Sequence, residues 1–575
     1  MSTEKKLTGY PSIDKPWLAH YPEFVFTQRK SYKSIYENLS AVWTDESKTI
    51  INYYDTNIRT KDFFERVEQI KKSLYSVGVR AGDSIAVALE SVPEFLELFL
   101  ACEQLGCSVK NYLASVADGL ELICECTATI YIAHDYISQS DVDLIYNNTD
   151  IDRIILIDPL FSATNKEGVR ANIRVNIKER YTDALSNDER NILWEDFLKL
   201  GEGITDVPNP TKNNILLSAF TSGTSGKPKE VLHTSETLMG VINQLSLFPS
   251  HEKGKDTWLL TILPPTLVAV VVAMIFYPLA DGKQLILDPF CKIEDLDLEM
   301  MHYKPNCWGL IPIFFNTLLE SDRIPDDYDM SYFKLFGFGA EPMTKKFISK
   351  VQDFLDRHNC QAPFSSGYGQ SEGGSDFTVC IGREMISSGG AGIPLIDTTI
   401  AIFAPGTTTE LEYGQIGEVC KLGPGIMVGY ADDEKTKEAL KIHSDGNVWL
   451  HTGDYGFITS QGMLFVLGRN VIDVYPDKKV FALNIENKAA LVDGVQEAIV
   501  VSGTDFDNKG FEVLYLFIVP EKDFDREIVM ANINSFVEQS LLKEECPKEI
   551  YFIDEKPISK FKTDRKTLQN KYKLV

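Results

Sequence analysis

Positive charge is scarce in this 575-residue chain: 57 lysines and arginines stand against 83 aspartates and glutamates, a formal net charge of −26. That balance argues against nucleic acid as a partner, because binding to a phosphate backbone is dominated by Lys and Arg. It does not exclude a local basic pocket. Long apolar runs are missing too. The longest, residues 267–280, is shorter than the roughly 18 residues that span a bilayer. No transmembrane segment is expected, and the run is read as a buried helix. The opening MSTEKKLTGY is polar with no apolar stretch behind it, which predicts no secretory leader. Cysteines number ten. Cys124 and Cys126 form one close pair and Cys102 and Cys107 another, but neither has a matching second half at zinc-finger spacing. Buried free thiols in a reducing cytoplasm are the simplest expectation. No internal repeat or low-complexity tract stands out.

What remains reads as a folded protein. Hydrophobic residues make up 44% of the chain, and its length predicts two or more domains. Phe63, Phe64, Val67, Ile70 and Leu74 share one face of a helix over residues 61–76 that Gly78 ends. A strand follows at 85–89, and Pro93 opens a second helix that Gly106 closes. Short apolar strands recur at 130–133, 153–157, 258–262 and 284–287, and residues 343–357 read as a helix. Residues 165–203 are polar and poorly periodic, a surface excursion. Strands alternating with helices predict an α/β protein with mainly parallel, layered sheets. From Gly414 onward, glycine-rich turns between short strands predict an antiparallel or barrel-like subdomain. Behind Arg469 lies a compact α+β tail: a helix near Ile485, strands at 497–501, 512–519 and 550–553, and a helix at 526–542. The expected division is 1–468 and 469–575.

The most informative stretch is SAFTSGTSGKPKEVLHT, residues 218–234. Thr221, Ser222, Thr224 and Ser225 alternate with Gly223 and Gly226, and Lys227 and Lys229 follow. Glycines let a backbone approach a ligand closely. Hydroxyls and backbone N–H groups donate to phosphate oxygens, and the lysines add charge. The P-loop pattern GxxxxGK[ST] is not met. A phosphate-gripping loop is the reading, with a polar hairpin or linker as the alternative.

The string resembles the nucleotide-binding signature of the acyl-adenylate-forming enzymes, which include acyl-CoA synthetases, luciferases and peptide-synthetase adenylation domains. Further stretches resemble the same family in the same order. YGQSEGG, with Tyr368, Gly369, Ser371, Glu372, Gly373 and Gly374, is close to the family's YGxTE. GFGAEPM, with Gly337, Gly339, Ala340 and Glu341, resembles the turn that lines the adenine and acyl pocket. GEVCKLGPGIMVGY resembles a segment of structural role, matched at Gly417, Glu418, Gly423, Gly429 and Tyr430. Asp454 of TGD matches the ribose-binding aspartate, and Arg469 an arginine near the ribose. In ISKFKTDRKTL, Lys562 matches the catalytic lysine, with Lys560 as its competitor and Phe561 where glycine is usual.

The resemblance implies ATP-dependent activation of a carboxylic acid to acyl-AMP, then transfer to the thiol of coenzyme A. It implies that the C-terminal domain is mobile, with its hinge at Asn470 and Val471. Glu372 would hold magnesium, since hard cations prefer carboxylate oxygens. Tyr368 would flank adenine. Thr266 and Leu267, where the family often has a polar residue or His, would face the acid together with Gly337, Gly373 and Gly374. The glycine pair implies room near the pocket floor. A fatty or aryl carboxylate fits better than an amino acid. Val471 replaces the usual Asp or Lys, and the loop behind it, IDVYPDKKVF at 472–481, lacks the usual lysine and glycine, so adenylation is better supported than thioester formation. Two alternatives stay open: a stand-alone ligase loading a carrier protein, and a catalytically weak adenylate-binding regulator. Retention of Lys562 counts against the regulator.

Overall fold

The computed structural model describes residues 7–27, 32–112, 122–123, 127–210, 213–221, 228–247, 256–339, 341, 343–380, 382–469, 471–475, 478–504, 511–522, 524–559 and 562–574. Two mainly parallel sheets carry the larger part. One has eight strands, in the order Gly429–Tyr430, Glu230–Thr234, Ile215–Phe220, Ser108–Asn111, Ser84–Ala88, Ile130–His134, Arg153–Ile157, Asn191–Leu193. The other has nine: Ile393–Pro394, Ser375–Val379, Phe364–Gln370, Leu335–Phe338, Cys307–Leu310, Thr257–Thr261, Gln284–Asp288, Thr49–Tyr53, Thr56–Arg59.

Helices fill the space between them. The helix Thr60–Ser76 buries Phe63, Val67, Ile70 and Leu74, the stripe its periodicity predicts. The helix Pro93–Leu105 starts on a proline, whose missing N–H costs nothing at that position. It ends on Gly106 at φ +80°, whose N–H closes onto the Cys102 carbonyl. It is buried almost all round. Phe99 meets Phe276 at 5.1 Å between ring centroids. One hydrophobic cluster joins both sheets through such contacts, from Ile85 and Val87 to Leu259, Trp308 and Phe336.

A five-stranded antiparallel sheet is formed by Thr399–Phe403, Gly417–Leu422, Val448–Ile458, Leu440–Ile442 and Leu464–Gly468. Beyond it a separate core forms. Val495–Thr504, Glu512–Pro520 and Glu549–Phe552 make a three-stranded sheet. Ile485, Leu516, Ile518, Val529 and Ile533 pack on it. Among the described residues no helix is long and apolar enough to cross a membrane.

Two expectations are corrected and one is refined. The run 267–280 is a buried helix from residue 268 on, as expected, but an irregular one: Val270–Phe276 is π-helical between α-helical residues 268–269 and Tyr277–Ala280. Pro278 has no N–H to give, so the hydrogen-bond ladder changes register beside it. Residues 165–203 are not merely a surface excursion. They hold the helices Ala171–Lys178 and Trp194–Lys199, and Ile173, Trp194 and Phe197 enter the main core. The stretch 472–481, read as a loop, lies in a hairpin of Val471–Tyr475 against Lys478–Phe481. Cys124 and Cys126 lie outside the described residues.

Candidate active site

The phosphate loop joins two antiparallel neighbours, Ile215–Phe220 and Glu230–Thr234. Ser222, Gly223, Thr224, Ser225, Gly226 and Lys227 lie outside the described residues. The mouth of the loop is described. Thr221 N–H donates to the Lys229 carbonyl at 2.9 Å, and Lys229 N–H donates back to Thr221 Oγ1 at 3.2 Å. The Lys229 ammonium lies 4.8 Å from the centroid of the Tyr430 ring. The Tyr430 hydroxyl in turn donates to Glu372 Oε1 at 2.8 Å. One tyrosine therefore ties the end of the phosphate loop to the expected metal-binding carboxylate. Tyr430 stands there because Gly429–Tyr430 pairs antiparallel with Leu232 and Val231, at the loop's exit. The GY motif reads as structural in the sequence. The structure adds a direct contact with Glu372.

Glu372 is buried on the one-turn helix Ser371–Gly373. Three groups hold that turn from beneath. Met427 N–H donates to the Glu372 carbonyl at 2.8 Å. His233 Nε2 lies 2.7 Å from the Ser371 carbonyl, and the Lys421 ammonium donates to the Gly373 carbonyl at 2.8 Å. A carbonyl only accepts, so His233 carries its proton on Nε2. Burial pushes its pKa down to about 4, which keeps the ring neutral. A carboxylate is a hard oxygen donor of the kind Mg2+ prefers, and Glu372, oriented at Oε1 by the Tyr430 hydroxyl, fits the metal the resemblance implies. Tyr430→Phe should loosen Glu372 without emptying the site. A hydrogen bond to a charged group contributes about 1.5–3 kcal/mol, part of which water recovers here. The expected result is a loss of about five- to tenfold in kcat/KM with a raised magnesium requirement, read from initial rates across a magnesium titration.

Asp454 is buried at the middle of the strand Val448–Ile458. The Tyr368 hydroxyl and Gln370 Nε2 both donate to Oδ2, the first at 2.6 Å, and Arg469 Nε donates to Oδ1 at 2.8 Å. The aromatic ring, the carboxylate and the guanidinium thus form one unit. Burial, then the Asp454 charge, push the Tyr368 phenol well above its ordinary range, so it stays a donor. Burial opposes the Arg469 charge, but Asp454 and Glu372 outweigh it and raise its pKa. Each carboxylate oxygen accepts two bonds. Oδ2 is already filled by Tyr368 and Gln370, so a ribose diol must take the free side of Oδ1 and displace one of those two donors. Gln370 also donates to the Thr452 carbonyl at 3.1 Å and can keep that bond. Gln370 went unassigned in the sequence although it lies inside YGQSE.

The turn after strand Leu335–Phe338 meets the C-terminal domain. Thr563 N–H donates to Glu341 Oε1 at 2.7 Å, and Lys556 lies 3.7 Å from Oε2. Thr563 follows Lys562 in a two-residue strand paired with Ile558–Ser559. The backbone of Lys562 is therefore delivered to the Gly337–Glu341 turn. Lys346 and Lys350 pin the same domain through Glu521, at 2.7 and 3.6 Å. Ala340, Lys560, Phe561 and Asn470 lie outside the described residues. Val471 opens the hairpin described above.

The expected acid-facing residues separate. A Cβ on Gly337 would meet only the Trp308 carbonyl, at 4.0 Å, and one on Gly339 nothing within 4 Å. Thr266 and Leu267 are half-buried on the turn before the π-helix. Gly373 and Gly374 do not leave the expected room. A Cβ on Gly373 would fall 1.9 Å from the Phe377 ring, and one on Gly374 2.8 Å from the Gly425 carbonyl. These glycines, and Gly369 at 1.7 Å from the Ser375 carbonyl, permit close packing of the Glu372 turn.

The AMP-binding enzyme family matches residues 42–431, and the AMP-binding enzyme C-terminal domain matches 484–560. The 4-coumarate–CoA ligase of Vanilla planifolia is 25% identical over 524 residues, 89% of this chain and 86% of its own. The crystal structure of the anthranilate CoA ligase AuaEII with anthranoyl-AMP superposes with a TM-score of 0.77 at 17% identity, covering 95% of this chain and 99% of that one. The o-succinylbenzoate CoA synthetase of Bacillus subtilis, in complex with OSB-AMP, gives 0.70 at 19% identity, covering 94% and 98%. The large two-sheet domain, the smaller antiparallel subdomain and the small C-terminal domain reproduce the adenylate-forming fold. With its first domain model matching well over half of its length, the chain belongs to the AMP-binding enzyme family.

Proposed function

We propose that this protein activates a carboxylic acid with ATP to acyl-AMP and pyrophosphate, and then passes the acyl group to the thiol of coenzyme A. The contact between Thr563 and Glu341 carries the reading, because it brings the Lys562 backbone to the turn beside the ribose-binding unit. A carboxylate is a poor electrophile. Its oxygen attacks the α-phosphorus, the bond to the β-phosphate oxygen breaks, and pyrophosphate leaves. Nucleophile and phosphate are both anions, so catalysis needs alignment and positive charge. Lys562 bridges the acyl oxygen and the α-phosphate. Thr221 through Lys229 hold the departing phosphates. Asp454, Tyr368 and Arg469 fix the ribose and adenine. Magnesium bound at Glu372 would supply charge neutralisation between the phosphates. The thiol then attacks the carbonyl carbon and AMP departs.

Transfer needs Lys562 withdrawn, and we place the hinge for that motion at Asn470 and Val471, between the domains 1–468 and 469–575. Relatives named for coumarate, anthranilate and o-succinylbenzoate favour an aryl acid over a fatty acid. A cytoplasmic place is favoured by seven buried free cysteines among the eight described. The test is pyrophosphate release from ATP and a panel of aryl acids with no thiol present. Acid-dependent release is expected. Release that no acid stimulates would overturn the reading.

A further inference from the structure

The strand Cys307–Leu310 pairs in parallel with Leu335–Phe338, and that with Phe364–Gln370. In register, Gly309 lies opposite Gly337, and Gly337 opposite Ser365. Paired residues face the same way, and side chains alternate along a strand. Gly367, two residues past Ser365, therefore faces the same side. This row of small residues has a wall at each end. A Cβ on Gly309 would fall 2.0 Å from Met274 Sδ, so the π-helix lays its thioether over Gly309. A Cβ on Gly367 would fall 2.2 Å from Asp376 Oδ1, so a carboxylate lies over Gly367. Gly337, between the walls, is open. Two strand spacings of about 4.8 Å and a two-residue offset of about 6.6 Å put Gly309 and Gly367, which carry the walls, about 12 Å apart. The result is a flat slot, apolar on one flank and anionic on the other, ending beside the Glu341–Thr563 contact.

We infer that Asp376 is a specificity-determining residue, whose carboxylate accepts a hydrogen bond from a hydroxyl or amino substituent on the acid substrate. The inference rests on the acid-activating reading above. The Ser375 hydroxyl donates to Asp376 Oδ2 at 3.0 Å, which fixes the carboxylate and turns Oδ1 over the slot. Asp376 is partly accessible, whereas Lys421 behind it is wholly buried. Burial raises the Asp376 pKa to about 6, against the pull of Ser375 and the Lys421 charge. It is therefore mostly ionised, and a good acceptor, at neutral pH. Burial lowers Lys421 to about 7, with Asp376 opposing. An acid whose ring carries no donor covers Asp376 Oδ1 without giving it a bond, and sites built to bond a substrate hydroxyl reject such analogues strongly.

The test measures binding by calorimetry of aryl sulfamoyl-adenosines, stable mimics of the acyl-adenylate. The unsubstituted ring is compared with its ortho, meta and para hydroxyl and amino forms. The wild-type protein should bind at least one substituted form about tenfold or more tighter than the parent. Asp376→Val should cut that preference below about threefold, while Asp376→Asn, which keeps an acceptor oxygen, retains most of it. AMP affinity should stay constant and reports that each variant is folded. Equal preference in wild type and Asp376→Val, or no preference in the wild type, overturns the inference and leaves acid activation standing. Binding of AMP with no binding of any analogue overturns acid activation itself, and the inference with it.

Discussion

Lys562→Ala should slow acyl-AMP formation by about 100-fold or more, while conversion of pre-made acyl-AMP to thioester stays nearly unchanged. The expectation follows from charge. In the first step two anions approach, and a preorganised cation acts on the charge that develops between them. In the proposed second step the lysine withdraws, so its loss should not matter there. The structure places the Lys562 backbone by the bond from Thr563 to Glu341 and by the pairing of Lys562–Thr563 with Ile558–Ser559. Lys560→Ala is the control. The downstream T-D-R-K spacing favours Lys562 over Lys560, and this pair of variants tests that choice. If Lys560→Ala gives the larger loss in a stopped-flow pyrophosphate assay, the roles are exchanged.

Asp454→Ala should raise the KM for ATP far more than the KM for the acid. Removing the carboxylate leaves the ribose diol unpaired, which costs about 2–4 kcal/mol, or about 30- to 800-fold. It also strips Tyr368, Gln370 and Arg469 of their shared acceptor. Part of the loss is therefore disorder of the adenine flank. Asp454→Asn keeps one acceptor oxygen and should lose less. An unchanged KM for ATP in Asp454→Ala would remove the residue from the nucleotide site.

The motifs that carry the family resemblance were legible because each has fixed residues at a fixed spacing. The helix Thr60–Ser76 was legible from its apolar stripe, and Pro93–Leu105 from its proline start and glycine stop. The π-helix Val270–Phe276 was not, because a segment apolar on every side has no period to read. The hairpin 471–481 lacks a turn glycine, so nothing local announced it. Trp194 and Phe197 sit in a mostly polar stretch, and only tertiary packing reveals that they are core. The gaps at the site have the same origin. Tyr430 and Lys421 are placed by strand register, which brings residues 58 and 48 apart in sequence together at the Glu372 turn, and Asp376 is laid over Gly367 by the pairing of their two strands. The glycine pair after Glu372 misled for a related reason. A glycine marks a close approach, but not whether a ligand or a phenylalanine makes it.

The most direct measurement is mass spectrometry of the products formed from ATP, magnesium and a hydroxy- or amino-substituted aryl acid, before and after coenzyme A is added. The account predicts acyl-AMP without the thiol, and acyl-CoA with free AMP once it is present. Acyl-AMP that persists with coenzyme A but disappears onto a phosphopantetheine carrier protein would contradict the choice of acceptor. Bound nucleotide with neither product would contradict catalysis by this chain.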